Sequence, residues 1–453
     1  MKKILIQITI IFILLSGCQS KNANFLGTDF FNYKNKDKVG SIDTLNNKKN
    51  YNKSINFLKF KKNNLNKNIK IAVINYPSIQ SALSNLDALK TEKKVVAAQK
   101  EAQISIQGSA GATRSDSTNS LAAIGNFSYS KILYDFGSID NSLLSQEERI
   151  RASKEQLNSQ AQNIAFNIYR VLFDLNKNKK IVDIYSYGLN KSEPLINSIK
   201  NISASGYADE SVILKAKKEY SELLVSNERA KILLNSTEVL FKDYFPGQNI
   251  PLLTDFRVLK FSDLNSIKKK MLKNNSMIKY QDLILKSLEK SLDSLIAQQK
   301  PNVLLQAGIS SPANNPLGDA SGTAGISVNY IFNDGGRIEN QIKNVSYQIE
   351  SAKKQKEATL KQLDTELKTV FETYSGLTKA KKSLQELVSL IKRSRETVKA
   401  QLETGKTKIQ DVLNAELELA KKEIELTTIN TELISASYYL KYLSENLIPK
   451  IID

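Results

Sequence analysis

The sequence of 453 residues contains no histidine, no tryptophan and a single cysteine, Cys18. Without histidine, the Ser-His-Asp, Cys-His and histidine general-base mechanisms are excluded. With one cysteine, no disulfide can form within the chain, and a zinc site lacks its usual ligands. Carboxylates and lysines could still act as catalysts, but no cleft motif accompanies them. The sequence therefore predicts a protein that is not an enzyme and that has no cofactor.

Acidic residues are in the minority, with 46 Asp and Glu against 65 Lys and Arg, which gives a formal net charge of +19. A basic balance is one mark of nucleic-acid binding. Here lysine and glutamate are interleaved and do not form blocks, which favours solvation of long helices. A coding bias toward lysine and asparagine explains the same balance. We therefore expect no nucleic-acid partner.

The N-terminus has two lysines, then an apolar run from Ile4 to Leu15, then small residues. This run is shorter than the roughly 20 residues of a membrane-spanning helix. It is typical of a secretory signal peptide, which we place at residues 1–17. Residues 18–68 are rich in lysine and asparagine and poor in apolar residues, which predicts a tether without a core of its own.

Residues 15–18, with the sequence LSGC, resemble the bacterial lipobox. That resemblance implies that Cys18 is lipidated and becomes the first residue of the mature chain. Gln19 and Ser20 follow in place of an aspartate, which by the same resemblance favours sorting to the outer membrane. The alternative is a buried cysteine in an ordinary signal or membrane anchor.

The stretch KILYDFGSIDN at 131–141 has a counterpart far downstream, YIFNDGGRIEN at 330–340. The offset is 334 − 135 = 199 residues, and the same offset relates GYADESVILKA at 206–216 to GKTKIQDVLNA at 405–415. One offset held without a gap indicates a duplicated unit, and its period is far too long for a solenoid. The sequence thus predicts a first repeat at 69–250 and a second repeat with a C-terminal segment at 251–453.

Each repeat has the same predicted order: a helix, two strands, a very long helix and a returning helix. The strands show apolar residues in alternation, such as Val303, Leu305 and Ala307. In the first repeat the predicted elements are helix 77–102, strands 103–113 and 126–133, and helices 138–204 and 209–244. In the second they are helix 263–299, strands 302–310 and 325–332, and helices 337–403 and 408–447. Polar loops are expected at 114–122 and 311–321.

The long helices carry a heptad pattern. From Leu360 to Leu402 the apolar positions advance in steps of three and four, interrupted only by Lys381 and Arg395, which is typical of a left-handed coiled coil. A helix over 337–403 would be roughly 100 Å long. In the first repeat, Gly188 and Pro194 are expected to kink or break the helix. Gly206 and Gly405 are expected to end the long helices.

Short amphipathic strands beside such long helices do not suit a globular core. One apolar and one small polar face suit a membrane β-barrel with a wet lumen, but the smallest barrels have about eight strands. Open sheet edges cannot lie in lipid. Four strands per chain must therefore be pooled with those of other copies, and the coiled-coil helices need partners as well.

The repeated strand–Asp-x-Gly–helix junction, the glycine-ended helical hairpins and the DVLNA sequence at 411–415 resemble the TolC family of outer-membrane efflux proteins, over about residues 72–449. The resemblance implies an α+β membrane protein and a homotrimer in a Gram-negative bacterium, with a 12-stranded β-barrel in outer-membrane lipid and an α-helical tunnel through the periplasm. The residues expected at the junctions are Asp135, Gly137, Asp334, Gly335 and Gly336. There glycine permits the turn and aspartate caps the helix.

The resemblance also places the hairpin tips at the periplasmic end, where the family docks an adaptor protein. The candidate docking residues are Gly206, Leu214, Ala216, Gly405, Val412, Leu413 and Ala415. For Leu214 and Leu413, packing within the hairpin is the alternative, and an apolar residue at a tip could serve both purposes.

Asp411 matches a position where the family often has an aspartate ring at the tunnel entrance. Three copies around one axis would favour cations there. Asn414 stands where a second aspartate is common, and Thr407 stands in place of an arginine latch. The alternative for Asp411 is a solvated charge at the tip.

The function implied by the resemblance is a passive exit duct that works with an inner-membrane transporter and a periplasmic adaptor. The cargo is open between a polypeptide, as in type I secretion, and small drugs. The alternative from another class is a lipid-anchored periplasmic coiled-coil scaffold without a pore.

Overall fold

The computed structural model describes residues 64–115, 118–204, 210–250, 256–310 and 321–452. The predicted signal peptide with Cys18, the tether up to residue 63, and Gly206 lie outside these residues. Among the helices of the described ranges, none combines the length and the apolar character needed to cross a membrane.

The element order is the same in both halves of the chain. The first half contains α1 (Leu65–Asn75), α2 (Pro77–Ala98), β1 (Gln103–Ser115), β2 (Thr118–Tyr134), α3 (Ser138–Ala204) and α4 (Glu210–Tyr244). The second half contains α5 (Leu264–Asn274), α6 (Ser276–Gln298), β3 (Asn302–Ser310), β4 (Ser321–Asn329), α7 (Arg337–Glu403) and α8 (Ile409–Ser444).

The offset of 199 residues holds in three dimensions. It converts the bounds of α3 into those of α7 and the bounds of α1 into those of α5. It also converts the pairing of β1 with β2 into that of β3 with β4: Gln103 opposite Ser130 becomes Asn302 opposite Asn329, and the later pairs of β3 and β4 follow the same rule. The duplication is therefore a property of the backbone as well as of the sequence.

The four strands form one antiparallel sheet in the order β1-β2-β3-β4, and the contact between β2 and β3 joins the two repeats. Because side chains alternate along a strand, the register assigns each residue to a face. One face carries exposed apolar side chains, which are Ile104, Ile106, Phe127, Ile309, Ile326 and Val328. The opposite face carries mainly small or polar residues, with Ile132 and Leu304 as apolar exceptions; the small or polar members include Ser105, Gln107, Ser128, Gln306, Gly308 and Ser327.

The strands differ from the prediction at the hairpin ends. The loop predicted at 114–122 is wrong at both ends, because β1 continues to Ser115 and β2 already starts at Thr118. This stretch is polar, which suggested a loop, yet its backbone continues the ladder of β1 and β2. Strand β4 ends at Asn329, whereas the prediction extended it to residue 332.

The shorter helices are interrupted where the prediction had a continuous helix. The helix expected at 263–299 is split at Asn275, whose backbone is extended and whose side chain caps α6 by accepting a hydrogen bond from Met277 N at 2.9 Å. The helix expected at 77–102 ends at Ala98. In addition, α1 begins at Leu65, within the last residues assigned to the tether.

The two longest helices have the predicted bounds. The break expected in α3 is wrong, because the helix runs unbroken through Gly188 and Pro194. A proline removes one hydrogen bond from the helix, and here α3 packs along most of its length against α2, α4, α6 and α8. The carbonyl of Pro194 still accepts a hydrogen bond from Ser198 Oγ at 3.0 Å. Tertiary packing therefore outweighs the local cost.

The main core lies midway along the helices. There α1, α3, α4, α8 and the C-terminal segment bury a shared set of side chains, which includes Ile69, Val73, Ile168, Leu172, Phe241, Phe245 and Ile448. A second cluster lies near the hairpin tips and joins α3, α4 and α8. This arrangement fixes the tips relative to the sheet through continuous helices.

Candidate functional site

The strand-to-helix junction of the second repeat is built around Asp334. Its Oδ1 accepts a hydrogen bond from Arg337 N at 3.0 Å and its Oδ2 accepts one from Ile338 N at 2.9 Å. These backbone hydrogen bonds, first that of Ile338, lower the pKa of Asp334 below its usual range. Gly335 and Gly336 have φ of 70° and 79°, in the left-handed region that glycine adopts without strain. Together they turn the chain into α7.

The first junction is similar but differs in two respects, namely the residue at position 136 and the backbone N–H that binds Oδ1 of the aspartate. Asp135 accepts hydrogen bonds from Gly137 N at 3.0 Å and Ile139 N at 2.7 Å. Gly137 has φ of 80°, but Phe136 occupies the position of Gly335 with φ of 54°. A left-handed φ is uncommon for an aromatic residue. Its ring contacts the Tyr134 ring at 4.7 Å, and Lys300 Nζ lies 5.4 Å from its centroid. These contacts hold the turn in place.

The tip of the second hairpin begins with a glycine-terminated helix end. Gly405 has φ of 69°, its N–H donates to Leu402 O at 3.0 Å, and Lys406 N donates to Gln401 O at 2.8 Å. This pair of hydrogen bonds is a Schellman motif, which satisfies carbonyls at a helix C-terminus. Gly405 therefore allows the sharp return of the chain into α8.

Asp411 caps the returning helix. Its Oδ2 accepts hydrogen bonds from Thr407 Oγ1 at 2.9 Å and from Lys408 N at 3.2 Å, so it completes a capping box at the start of α8. The side chain is exposed at the tip, as is Asn414. Thr407, which replaces an expected arginine, thus binds Asp411 directly. The local role of Asp411 in the helix start is independent of any role at an entrance.

Several candidate docking residues are buried within the chain. Val412, Leu413 and Ala216 expose 1%, 0% and 1% of their surface. Leu413 and Ala216 belong to the tip cluster with Ile196 and Leu223. For Leu413, this burial corresponds to the alternative of packing within the hairpins. Their side chains shape the tip but do not form its outer surface.

The exposed part of the tip is smaller. Leu214 exposes 59% of its surface, Gly405 is exposed and Ala415 is half-buried. Gly206 lies outside the described residues. A partner that docks at the tip therefore has Leu214 as its largest apolar contact among the predicted candidates.

Sequence reasoning missed a buried charged cluster just above the tip. Glu416 on α8 accepts from Lys399 at 2.8 Å and from Arg395 at 3.5 Å, and both cations are on α7. In a heptad pattern Arg395 is only an interruption of the apolar positions. The cluster depends on the register between two antiparallel helices, so no local pattern reveals it.

A second missed feature is a clamp on the C-terminal segment. Gln162 of α3 accepts from Leu447 N at 2.7 Å and from Ile448 N at 3.2 Å, and it donates to Ile448 O at 2.9 Å. Asn158, one helical turn earlier, binds Ile451 N and Ile452 O in the same manner. Amide side chains have both a donor and an acceptor, which lets them pair with an extended backbone. The clamp ties the second repeat to the first.

The described residues offer no group of three or more acidic, histidine or cysteine side chains that could hold a metal ion. Within the described ranges, the surfaces include an apolar sheet face, two sheet edges that have no neighbouring strand, and long helices that end in polar tips. An apolar face of this kind is typical of strands that contact lipid.

No protein-family profile matches the sequence, and no curated protein matches it. Solved structures do. CusC, studied for transmembrane channel formation, is similar with a TM-score of 0.74 and 12% identity, over 84% of this chain and 92% of that chain. The outer-membrane channel OprN is similar with a TM-score of 0.74 and 13% identity, over 84% of this chain and 90% of that chain. The CmeC outer-membrane channel of Campylobacter jejuni is similar with a TM-score of 0.72 and 12% identity, over 86% of this chain and 87% of that chain.

The chain therefore has the fold of outer-membrane channel proteins. The predicted combination of long helical hairpins with four antiparallel strands is confirmed. The resemblance to the TolC family, inferred from the junction and hairpin motifs, is confirmed for the fold. The similarity extends over nearly the whole of each compared structure.

Proposed function

We propose that this protein is the outer-membrane exit duct of an export system. Three copies combine their sheets into a 12-stranded barrel, and their helices form a tunnel that receives substrate from an inner-membrane transporter and a periplasmic adaptor. The observation that carries the proposal is the four-stranded sheet, which has an apolar face and two edges without a partner strand and continues directly into α3 and α7.

The exposure of the apolar face supports a lipid environment. Ile106 exposes 77%, Ile326 68% and Val328 64% of its surface in the single chain. Apolar residues in such number on one face of a sheet are costly in water and favourable in lipid. Edges with unpaired backbone groups are excluded from lipid, so the sheet must close with other copies. Lys131 lies at the helix-proximal end of β2, where its long side chain can reach the membrane surface.

The helices give the duct its length. Helices α3 and α7 have 67 residues each, which corresponds to roughly 100 Å. They start within a few residues of the strands, so the barrel and the tunnel share one wall. Lipidation of Cys18 would add an anchor to the same membrane, and metabolic labelling with a fatty acid would test it against Cys18→Ser.

At the far end we propose adaptor docking through the exposed tip, with Leu214 and Gly405 as the central contacts. Asp411 and Asn414 would then surround the entrance. Drug efflux and polypeptide secretion both fit such a duct, and a transport assay in cells with either cargo would separate them. A coiled-coil scaffold without a pore accounts for the helices but leaves the apolar sheet face without a use.

The test is single-channel conductance in a planar lipid bilayer. We expect discrete steps from the purified protein, and block by multivalent cations on the tip side. Asp411→Asn is the variant of choice, because it removes the charge and retains an acceptor for Thr407 and Lys408. It should weaken cation block, whereas the control Asp87→Asn on α2 should not.

Two outcomes would contradict parts of the proposal. Unchanged cation block in Asp411→Asn would remove Asp411 from the entrance and leave the duct intact. A protein that stays monomeric in detergent and gives no steps would overturn the duct in favour of the scaffold. A folded trimer without steps would instead indicate a tip that is closed until the adaptor binds, which the D411N variant mixed with adaptor would test.

A further inference from the structure

A basic cavity lies between α3, α7, α8 and the segment that precedes α5. Its volume is about 410 Å³, within the range of about 300–1,000 Å³ that is typical of small-molecule sites. Three lysines line it, which are Lys177 and Lys180 of α3 and Lys381 of α7. Of the described residues that line it, none is Asp or Glu. The lining of the cavity is therefore basic.

Lys381 occupies a position where the sequence pattern calls for an apolar residue. It interrupts the heptad positions of α7 between Leu377 and Leu384, and it is half-buried. Its ammonium donates to Asn430 Oδ1 of α8 at 2.6 Å, which is its one hydrogen bond to the part of the chain that the structure describes. An ammonium has three N–H donors. Two donors of Lys381 therefore remain for an acceptor in the cavity.

The hydrogen bond to Lys381 also sets the orientation of Asn430. Because its carbonyl oxygen binds the ammonium, its amide nitrogen is the group that can donate to a further acceptor. Asn176 of α3 and Gln385 of α7 add two more amides to the lining. Ammonium and amide N–H donors thus converge from three helices, and such donors bind a carboxylate through charge-assisted hydrogen bonds.

Asp174 offsets part of the positive charge. Lys177 Nζ lies 2.8 Å from Asp174 Oδ1 on the same helix. The partner of Lys381, in contrast, is an amide without a charge. Like charges that share a cavity repel each other. An anion bound between α3 and α7 would reduce this repulsion.

Part of the lining is apolar. The rings of Phe173 and Phe256 meet edge to face, with their centroids 4.8 Å apart. Leu426 and Ile434 of α8 also line the cavity. A simple ion such as phosphate would leave this surface in contact with water, whereas an apolar group would cover it. The lining therefore favours an anion that carries an apolar body.

The duplication shows that the long helices form without this set of side chains. The offset of 199 relates Lys381 to Val182 of α3, so the first repeat has an apolar residue at the equivalent position. It also relates Lys177 to Gly376 of α7. The charged groups are therefore particular to this cavity and are not a general requirement of the repeat.

We propose that the cavity binds a small organic anion, namely a carboxylate attached to an aromatic ring or to a short apolar chain. Lys381, Lys177 and Asn430 hold the carboxylate, and Phe173 and Phe256 contact the apolar part. Such a ligand touches α3, α7 and α8 at once, so its binding stabilises their packing. The site is formed within a single chain and does not depend on the proposed function.

The experiment is isothermal titration calorimetry of the purified full-length protein in an uncharged detergent. The probe is naphthoate, and its matched control is naphthamide, which has nearly the same shape and no charge. We expect saturable binding of naphthoate at one site per chain. Naphthamide should bind about tenfold more weakly or not at all, because it cannot form charge-assisted hydrogen bonds. Naphthoate should also raise the melting temperature.

Two variants locate the site. Lys381→Gln removes the ammonium and should weaken naphthoate binding about tenfold or more. Gln385→Glu has nearly the same volume as the parent and places a carboxylate in the cavity, where it should compete with the probe. The control Lys382→Gln makes the same change in net charge at the next residue, which is exposed and does not line the cavity. It should keep the parent affinity. Circular dichroism would confirm that each variant is folded.

An absence of saturable naphthoate binding would overturn the proposal. Equal affinity for naphthamide would also overturn it, since the cavity would then act only as an apolar surface. An equal loss of affinity in Lys382→Gln would indicate attraction to the general positive charge of the chain, and unchanged affinity in both cavity variants would place the probe elsewhere. Each of these results leaves the duct intact, because conductance does not require the cavity to be occupied.

Discussion

The carboxylate of Glu416 on α8 lies 2.8 Å from the Lys399 ammonium on α7, although only 4% of Glu416 is exposed. Arg395 of α7 approaches the same carboxylate to 3.5 Å and is itself largely buried. The two helices are therefore joined by a buried charged contact just above the tip, in addition to the Lys392–Glu423 pair further along the same hairpin. A buried carboxylate in such a place depends on its cations, because burial without them would be strongly unfavourable.

We expect Glu416→Gln to destabilise the α7–α8 hairpin, because it leaves Lys399 without its counter-charge and leaves Arg395 with only the neighbouring Glu396. Breaking a buried ion pair costs about 3–5 kcal/mol, and the partial exposure of Lys399 places this case near 3 kcal/mol. Urea unfolding in detergent, followed by circular dichroism, would measure it. The matched control is Glu425→Gln, whose pair with Lys422 is more exposed and should cost less than about 1 kcal/mol. Equal effects would contradict the role of the cluster.

The second prediction concerns pH and the junction at Asp334. The pKa of Asp334 is lowered in the folded chain, so its hydrogen bonds contribute stability above the ordinary carboxyl pKa, and this contribution is lost as the pH falls through the lowered value. Asp334→Asn cannot ionise. Its melting temperature should be below that of the parent at neutral pH, and the difference should close in acid.

Melting curves of both proteins across the acid range would test this, with Asp87→Asn as the control. Asp87 is an exposed residue of α2 that pairs with Lys90. A difference between parent and Asp334→Asn that is constant with pH would show that the carboxylate charge does not stabilise the junction.

The third prediction concerns Gly188 of α3, which faces α4 and α8. A Cβ at this position would lie 3.6 Å from Leu223 Cδ2 and 3.7 Å from Ala420 Cβ, which is ordinary contact. Gly188→Ala should therefore stabilise the protein by about 0.5–1 kcal/mol through helix propensity. Gly188→Leu should separate α3 from α4 and α8 and lower the melting temperature. In α7, Gly376 has open space at its Cβ within the single chain. The control Gly376→Ala measures the effect of helix propensity alone. If Gly188→Ala destabilised the protein, this would contradict the conclusion that a methyl group fits at residue 188 between α3, α4 and α8.

The fourth prediction concerns the clamp on the C-terminal segment. Gln162→Leu keeps the approximate volume of the side chain but leaves the backbone groups of Leu447 and Ile448 without partners. Buried unpaired groups cost about 1–3 kcal/mol each, so a loss on the order of 3 kcal/mol is expected. Amide hydrogen exchange at residues 447 and 448 should accelerate, which separates this effect from a general loss of stability. The control Gln348→Leu, on an exposed face of α7, should leave the exchange at residues 447 and 448 unchanged. If this control accelerates that exchange as much as Gln162→Leu does, loss of the clamp is not the cause of the faster exchange.

Much of this fold could be predicted from local patterns. The bounds of α3 and α7 follow from the heptad positions and from the Asp-x-Gly and glycine signals at their ends, since each signal acts within a few residues. The failures have a different origin. The split at Asn275 has no proline to indicate it. The strand residues 118–120 are polar and give no apolar alternation, although their backbone pairs with β1.

The candidate site was harder to predict for a physical reason. Leu413 and Ala216 look like surface residues of a tip when read along the chain, but they lie in a buried cluster formed by three helices, with Ile196 on α3, Leu223 on α4 and Leu417 on α8. Likewise, Glu416 meets Arg395 only through the packing of two antiparallel helices. Properties that depend on distant contacts cannot be read from spacing alone.

In the proposed assembly, the two open edges of the sheet also determine what happens to a newly made copy. Until it associates with other copies, such a chain exposes unpaired strand edges and an apolar sheet face. These features promote aggregation and are recognised by chaperones. Association with other copies then competes with degradation of the single chain. Because that association is of higher order in concentration, slow synthesis would favour loss of single copies, and rapid overproduction would favour aggregates before membrane insertion is complete.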